Sequence, residues 1–386
     1  MELNQELCGI LRKYARSQHR DLSVDRLVDI IKRHSSPPSG RRLTFVPSAG
    51  QDGFWSEILR YNYKRDCLVV SVPVEARPFF FYGFQVDDYW FNLLNSGQAG
   101  LNIALLYILR TFPNKSVSLP TAPYVGTSQL LSLYNIPTTK SLNCDILWLC
   151  SSTATEVSIL DVLQSEKKWE LVVIDTTCWD HADLNLHKIL KTLSGFSSVI
   201  CIRSYSKLDM AGVEYGSLGG VFAINNLRKL DLDLLDLLFK LTASAPSLDD
   251  IPPYLFDDLY SRLLSKRNAL LSHNTAEFRD QISGWSFTYF EFGFPEHMKY
   301  FYITIDDNIF NSIKDWFLAT FVRLLKMNEC EARACPSFGF DFITISDIHA
   351  DNNRGRVIFR IAPGLQKEGP LALVIAFKEI EKKLHR

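Results

Sequence analysis

Short apolar segments rich in β-branched residues alternate with longer segments of helical periodicity along much of this sequence. Strands are predicted at 68–72, 117–119, 146–149, 171–174, 198–202 and 220–223, with helices at 97–111, 128–134 and 184–193. Alternation of strand and helix indicates βαβ units, whose parallel strands share one sheet. Such sheets bind ligands at the carboxyl ends of their strands. We therefore predict an α/β fold with a mostly parallel central sheet flanked by helices.

Changes in this pattern divide the chain into parts. Residues 2–34 have helical periodicity and precede Ser35-Ser36-Pro37-Pro38-Ser39-Gly40, a segment that breaks regular structure. Beyond Pro252-Pro253, a long helical segment leads into a shorter series of strands and helices. The predicted parts are an N-terminal helical arm (1–45), a large α/β domain (46–250), a connecting helix (251–280) and a smaller α+β C-terminal domain (281–386).

Composition and charge exclude several classes of protein. The 386 residues include 42 Lys+Arg and 43 Asp+Glu, a formal net charge of −1. A nearly neutral chain has no global attraction to nucleic acid or to an anionic membrane. No apolar run approaches the ~18 residues that span a bilayer, and the acidic, polar start differs from a secretory signal. We expect a soluble cytoplasmic protein that binds neither nucleic acid nor membrane.

The eight cysteines are scattered, without a Cys-x-x-Cys pair, and the eight histidines form no ligand set. A metal site or a disulfide framework needs closer spacing. Several cysteines lie in apolar, strand-like segments, where a free thiol behaves as a small hydrophobic side chain. We predict reduced, structural cysteines and no metal site.

Two polar residues follow predicted strands of the large domain. Asp175 comes directly after the apolar segment 171–174, and Lys207 follows the strand at 198–202. Each alone has an ordinary explanation, since Asp often caps a helix and Lys is usually a surface residue. Together, at one edge of a parallel sheet, they fit a pyridoxal-phosphate site. That cofactor needs a lysine amine for a Schiff base and a carboxylate to keep its pyridine nitrogen protonated.

These segments resemble those of the fold-type-I pyridoxal-phosphate enzymes, especially the aminotransferases and the cystathionine lyase and synthase group. Ser204-Tyr205-Ser206-Lys207, with Gly212 and Gly216 downstream, is similar to the family segment that carries the Schiff-base lysine. Val173-Ile174-Asp175-Thr176-Thr177 is similar to the strand with the aspartate that contacts the pyridine nitrogen. The resemblance implies an aspartate-aminotransferase-like large domain, bound pyridoxal 5′-phosphate and a homodimer.

Three further segments carry the resemblance. Ser96-Gly97-Gln98-Ala99-Gly100 resembles the turn that holds the cofactor phosphate, and the amides of a helix start favour an anion there. Tyr124, within 120–127, matches the ring that stacks on the pyridine. Arg360, which follows Cys335-Pro336-Ser337-Phe338-Gly339, matches the arginine that binds a substrate α-carboxylate through its guanidinium fork. The implied catalytic residues are Lys207 and Asp175, the implied cofactor-binding residues are Ser96, Gly97, Gln98, Tyr124, Asp175, Ser204, Ser206 and Lys207, and the implied substrate-binding residue is Arg360.

The sequence also departs from the family pattern. Glu214 occupies the place where the family often has a phosphate-binding arginine, and Arg203, Arg41 and Arg42 are alternative sources of positive charge. The aminotransferase Asn-Pro-x-Asn-Pro segment has no counterpart near residues 149–155. These departures weaken the case for ordinary transamination without removing the case for the cofactor.

The leading interpretation is a pyridoxal-phosphate enzyme that acts on an amino acid, most simply an aminotransferase. The alternative is a lyase, or an enzyme of elimination or replacement at Cβ or Cγ, favoured by Tyr124-Val125-Gly126-Thr127 and by the missing Asn-Pro segment. A second alternative is a binding or regulatory protein that keeps the fold without turnover. A nicotinamide dehydrogenase is poorly supported because no Gly-x-Gly-x-x-Gly loop opens a helix.

Overall fold

The structure is a computed structural model of the chain. It describes residues 6, 7, 10, 89–119, 124–150, 168–180, 183–211, 217–246, 251, 253–295, 298–334, 338–351 and 356–385. Several predicted features lie outside these residues: most of the N-terminal arm with Arg41 and Arg42, the strand at 68–72, the segment 151–155, and Gly212, Glu214 and Gly216.

The first half of the described chain builds a seven-stranded sheet. Its strands are β1 (Tyr89–Leu94), β2 (Val117–Ser118), β3 (Thr138–Thr139), β4 (Ile146–Cys150), β5 (Leu171–Asp175), β6 (Ser198–Ser204) and β7 (Gly219–Ile224). They lie in the order β1-β7-β6-β5-β4-β2-β3. Pairing is parallel from β6 through β3, whereas β7 is antiparallel to both β6 and β1. The predicted mostly parallel sheet is confirmed.

Helices cover both faces of this sheet, because its central strands carry apolar side chains on both faces. They are α1 (Gly97–Thr111), α2 (Val125–Leu133), α3 (Leu184–Ser194) and α4 (Leu232–Leu241). On β5, Leu171 and Val173 pack in the cluster that contains α1, α2 and α4, whereas Val172 and Ile174 pack in the cluster that contains α3. Asp175, two residues after Val173, lies on the face toward α1.

The second half of the chain contains a five-stranded sheet in the described residues. Its strands are β8 (Glu291–Gly293), β9 (Phe301–Asp306), β10 (Ala332–Ala334), β11 (Ile343–Asp351) and β12 (Arg356–Ala362), in the order β10-β11-β12-β9-β8. Two helices, α6 (Asp307–Met327) and α7 (Gly369–Leu384), bury a phenylalanine-rich core against it. The second, smaller sheet agrees with the predicted fold class, and the predicted domain boundaries stay predictions.

A long helix, α5 (Asp258–Ile282), joins the two halves after a 3₁₀ turn at Pro253–Phe256. The Asp257 carboxylate caps its start by accepting from the amides of Leu259 and Tyr260. Two described residues of the N-terminal arm, Leu7 and Ile10, are buried in a cluster with the first turns of α5. None of the described helices is long and apolar enough to cross a membrane.

The five described cysteines form no disulfide. Within the described ranges, no three His, Cys, Asp or Glu side chains are grouped as a metal site would require.

Candidate active site

Two strand ends bring the predicted cofactor residues to one edge of the large sheet. Asp175 is the last residue of β5, and Ser204 is the last residue of the parallel neighbour β6. Side chains alternate along a strand, so Asp175 points to the α1 face with Leu171 and Val173, and Ser204 does so with Ile202. Lys207 lies in the turn that follows β6.

The Asp175 carboxylate is buried, with 8% of the residue exposed. Its Oδ1 accepts from the Thr177 amide at 2.9 Å, and its Oδ2 lies 4.0 Å from the Cys150 thiol. Burial raises the pKa of this carboxyl above its ordinary value of 3.8, while the Thr177 hydrogen bonds and the positive charge of Lys207 act in the opposite direction. The Thr177 hydroxyl also accepts from the Ser204 amide at 3.0 Å, which links the ends of β5 and β6.

The start of α1 sits against the end of β6. The Ser96 hydroxyl caps the helix by accepting from the Ala99 amide at 3.2 Å. A Cβ atom on Gly97 would lie 2.8 Å from Ser204 Cβ, and one on Gly219 would lie 2.3 Å from the Ser96 carbonyl carbon. Since such distances are sterically excluded, glycine at both positions permits the close approach. The Ser204 and Ser206 hydroxyls are hydrogen-bonded at 2.9 Å beside this helix start.

Tyr124 and Gln98 meet at a third glycine. A Cβ atom on Gly126 would lie 2.6 Å from Tyr124 Cε1 and 2.7 Å from Gln98 Oε1. Tyr124 is 43% exposed, which leaves much of its ring accessible beside the start of α1. The predicted phosphate turn and the predicted stacking ring are therefore neighbours.

Arg360 enters the site from the smaller sheet. The residue lies on β12 and is 8% exposed. Its guanidinium carbon lies 5.0 Å from the centre of the Phe338 ring, and the Lys207 Nζ lies 4.9 Å from the same centre. Side chains alternate along β12, so Ile358, on the same face as Arg360, packs in the cluster of Cys178 and Tyr300, whereas Phe359 packs in the core under α6 and α7.

Sequence reasoning missed Cys178 and Tyr300, which lie among these groups. The Tyr300 hydroxyl donates to the Cys178 sulfur at 3.0 Å, and both residues are buried. Burial raises the pKa of the Cys178 thiol, the Asp175 carboxylate adds to this effect, and Lys207 and Arg360 oppose it. The thiol is therefore within electrostatic reach of all three groups. Its position three residues after Asp175 is the only sequence signal that could have found it.

Arg203 is removed from the phosphate candidates. It points to the α3 face of β6, opposite Ser204, and its guanidinium forms a two-pronged ion pair with Asp209 at 2.8 and 3.0 Å. It also donates to the carbonyl oxygens of Thr176 at 2.7 Å and Trp179 at 3.0 Å. These bonds join the segment after Asp175 to the segment after Lys207. The Arg203 guanidinium therefore stabilises the site from the α3 side of the sheet and does not face the predicted phosphate position.

No protein-family model matches the sequence, and a search of curated protein sequences finds no significant relative. Solved structures do match. Cystathionine gamma-synthase from Xanthomonas oryzae pv. oryzae aligns over 95% of this chain and 99% of its own, with 14% identity and a TM-score of 0.57. Yeast cystathionine gamma-lyase aligns over 96% and 100%, with 14% identity and a TM-score of 0.51.

Cystathionine gamma-lyase from Micromonospora echinospora is a third match, over 92% of this chain and 99% of its own, with 14% identity and a TM-score of 0.50. All three are fold-type-I pyridoxal-phosphate enzymes. The chain therefore has the fold of the fold-type-I pyridoxal-phosphate enzymes.

Proposed function

We propose that the chain is an enzyme that binds pyridoxal 5′-phosphate at this site. The observation that carries the proposal is that the buried Asp175 ends β5 and Lys207 follows the end of the neighbouring parallel strand β6, at one sheet edge beside the start of α1. The cofactor requires an amine for its aldehyde, a carboxylate for its pyridine nitrogen and an anion-binding group for its phosphate. The site offers an amine, a buried carboxylate and a helix start flanked by hydroxyls. The residues present thus fit the cofactor.

The phosphate would be held where α1 begins. Amides at a helix start and the positive end of its dipole favour an anion. The Ser204 and Ser206 hydroxyls lie at this point, and Gly97 allows the helix start to approach β6. Tyr124, exposed and adjacent to Gln98, is placed to supply an aromatic face to the ring.

Each remaining group has a role set by its chemistry. When bound, the cofactor supplies an electron sink conjugated with the substrate amino group. The Asp175 carboxylate would hold the proton on the pyridine nitrogen. Arg360 would bind the substrate α-carboxylate through two parallel hydrogen bonds. The Lys207 amine, released from the cofactor by the substrate, would take the proton from Cα as general base.

For the reaction, we propose elimination or replacement at Cβ or Cγ of an amino acid, ahead of the aminotransferase interpretation. The support is that the three matching structures described above, with TM-scores of 0.50 to 0.57, are a cystathionine gamma-synthase and two cystathionine gamma-lyases. The absent Asn-Pro segment points the same way. In elimination at Cβ, Lys207 would hold the Cα proton while the substituent leaves with its bonding electrons; in elimination at Cγ, a proton would also have to leave Cβ before the substituent departs.

The products distinguish these reactions. Purified protein with added pyridoxal phosphate is incubated with amino acids that carry a leaving group at Cβ or Cγ, and ammonia and keto acid are measured without any amino acceptor. Elimination predicts both products from wild type, none from Lys207→Ala, and full activity from Lys188→Ala, an exposed lysine of α3. Keto acid that forms only when an amino acceptor is added would support the aminotransferase instead.

A protein that keeps the fold without turnover would behave differently in this assay. Cofactor binding without reaction of any amino acid would support the binding or regulatory protein. The proposal also includes a homodimer, for which light scattering on the purified protein should give about twice the 44.2 kDa of the chain. It includes a cytoplasmic location, which microscopy of the tagged protein tests.

A further inference from the structure

Phe338 lies where the two cations of the site meet. Its ring centre is 4.9 Å from Lys207 Nζ and 5.0 Å from the Arg360 guanidinium carbon. We propose that Phe338 is a positioning residue whose ring face holds the Lys207 amine and the Arg360 guanidinium in their working orientations. The functional meaning of this inference rests on the proposed function, whereas the arrangement itself can be tested without cofactor.

Electrostatics explain why an aromatic ring serves here. The face of the ring is negative and attracts a cation within about 6 Å of its centre, and the attraction grows where water is excluded. Phe338 is 1% exposed and Arg360 is buried, so water competes little for their contact. Tyr300 supplies a second ring, 5.5 Å from the Arg360 guanidinium. An aliphatic side chain of similar size would fill the space without this attraction.

The surrounding structure fixes the ring. Tyr300 meets Phe338 edge to face, with ring centres 4.9 Å apart and an interplanar angle of 71°. The next residue, Gly339, has φ +90°, a backbone conformation that favours glycine. The Gly339 carbonyl accepts a hydrogen bond from Arg267 of α5 at 2.7 Å. The ring is thus packed against Tyr300, and the backbone directly after it is bound to α5.

Arg267 is the anchor of that segment. It is 1% exposed, and its Nη2 atom also contacts Asp341 Oδ1 at 2.6 Å. One buried guanidinium therefore binds the backbone directly after Phe338 and a side chain two residues further on. Such an anchor suits a side chain that positions reacting groups, because a displacement of about 1 Å at a reacting group can lower the reaction rate about 100-fold.

The test compares substitutions that keep or remove the ring. Phe338→Leu removes the aromatic face, and Phe338→Tyr keeps it. Pentafluorophenylalanine at position 338 nearly keeps the shape but makes the ring face electron-poor, so it serves even if the leucine variant fails to fold. Phe340→Leu is the matched control. Phe340 lies in the same segment, but its ring stacks on Phe342, with ring centres 4.9 Å apart.

Two measurements report on the two cations. In cofactor-free protein, labelling of Lys207 by trinitrobenzenesulfonate is followed by peptide mass spectrometry at fixed pH. We expect about threefold faster labelling in the leucine and fluorinated variants, because the ring no longer stabilises the ammonium form. With cofactor bound, the dissociation constant of propionate, read from the visible absorbance, should rise about tenfold in the same variants and return to the wild-type value with tyrosine.

The outcomes separate the two proposals. Failure to bind pyridoxal phosphate would refute the proposed function, while the labelling experiment would still decide the role of Phe338. Leucine and fluorinated variants that match wild type and Phe340→Leu in both measurements would overturn the inference. Equal losses in the tyrosine and leucine variants would also overturn it, because they would show that packing, and not the ring face, is what matters.

Discussion

Replacing Arg203 by methionine should destabilise the protein far more than replacing an exposed arginine. The Arg203–Asp209 pair is almost fully buried, with side chains 4% and 1% exposed. Removing one partner of a buried pair leaves an uncompensated charge and typically costs about 3–5 kcal/mol. The carbonyl oxygens of Thr176 and Trp179 also lose their donor. We therefore expect a loss of about 4 kcal/mol in the free energy of unfolding.

Urea unfolding followed by tryptophan fluorescence measures this loss. Arg333→Met is the matched control, because Arg333 pairs with Glu331 on the surface, where the side chains are 61% and 50% exposed and such a pair contributes about 0–1 kcal/mol. The double variant Arg203→Met/Asp209→Leu should lose less stability than Arg203→Met alone, since it buries no charge.

Two results would refute this reasoning. One is a shift for Arg203→Met no larger than that for Arg333→Met. The other is a double variant whose loss equals the sum of the losses of Arg203→Met and Asp209→Leu, since additivity would show that the two side chains do not interact.

Three further predictions concern single substitutions. Gly219→Ala should weaken pyridoxal-phosphate binding at least tenfold in a fluorescence titration, because the new Cβ would displace the backbone of Ser96. The control Gly284→Ala should bind the cofactor as wild type does, because the space at its Cβ is open. Cofactor-free Asp175→Asn should melt higher than wild type, by a margin that grows as pH rises above 3.8, because burial raises the pKa of Asp175 and its ionised form is penalised. Burial lowers the pKa of Lys299, so raising the pH toward 10.5 should stabilise wild type relative to Lys299→Met in thermal melts; a pH-independent difference would contradict this.

The parallel core was predictable because its signals are local. Strands such as Leu171–Asp175 are short apolar runs, and α1 begins where a serine caps it, so the pattern alone placed them nearly where the structure has them. β1 and α4 were not predicted. β1 depends on antiparallel pairing with β7, a partner far along the chain. α4 could nevertheless have been predicted, since Asp233, Asp236 and Lys240 share one face of the helix and Asp231 caps its start.

The positions of Asp175 at the end of β5 and of Lys207 in the turn after β6 were predictable, because each follows an apolar strand segment closely in the sequence. The site was not predictable where contacts join the two halves of the chain. Phe338 stood inside a segment already singled out, but its contact with both cations depends on how the smaller sheet meets the larger one. Tyr300 is hydrogen-bonded to Cys178 across 122 positions of sequence, a separation that no local pattern can reveal.

Reduction with sodium borohydride tests the central claim most directly. The protein is loaded with pyridoxal phosphate, reduced, digested and analysed by mass spectrometry. Our account predicts one phosphopyridoxyl adduct, on Lys207, and its absence from Lys207→Ala. A protein that takes up no pyridoxal phosphate, or adducts spread over exposed lysines such as Lys188 while Lys207 stays unmodified, would contradict it.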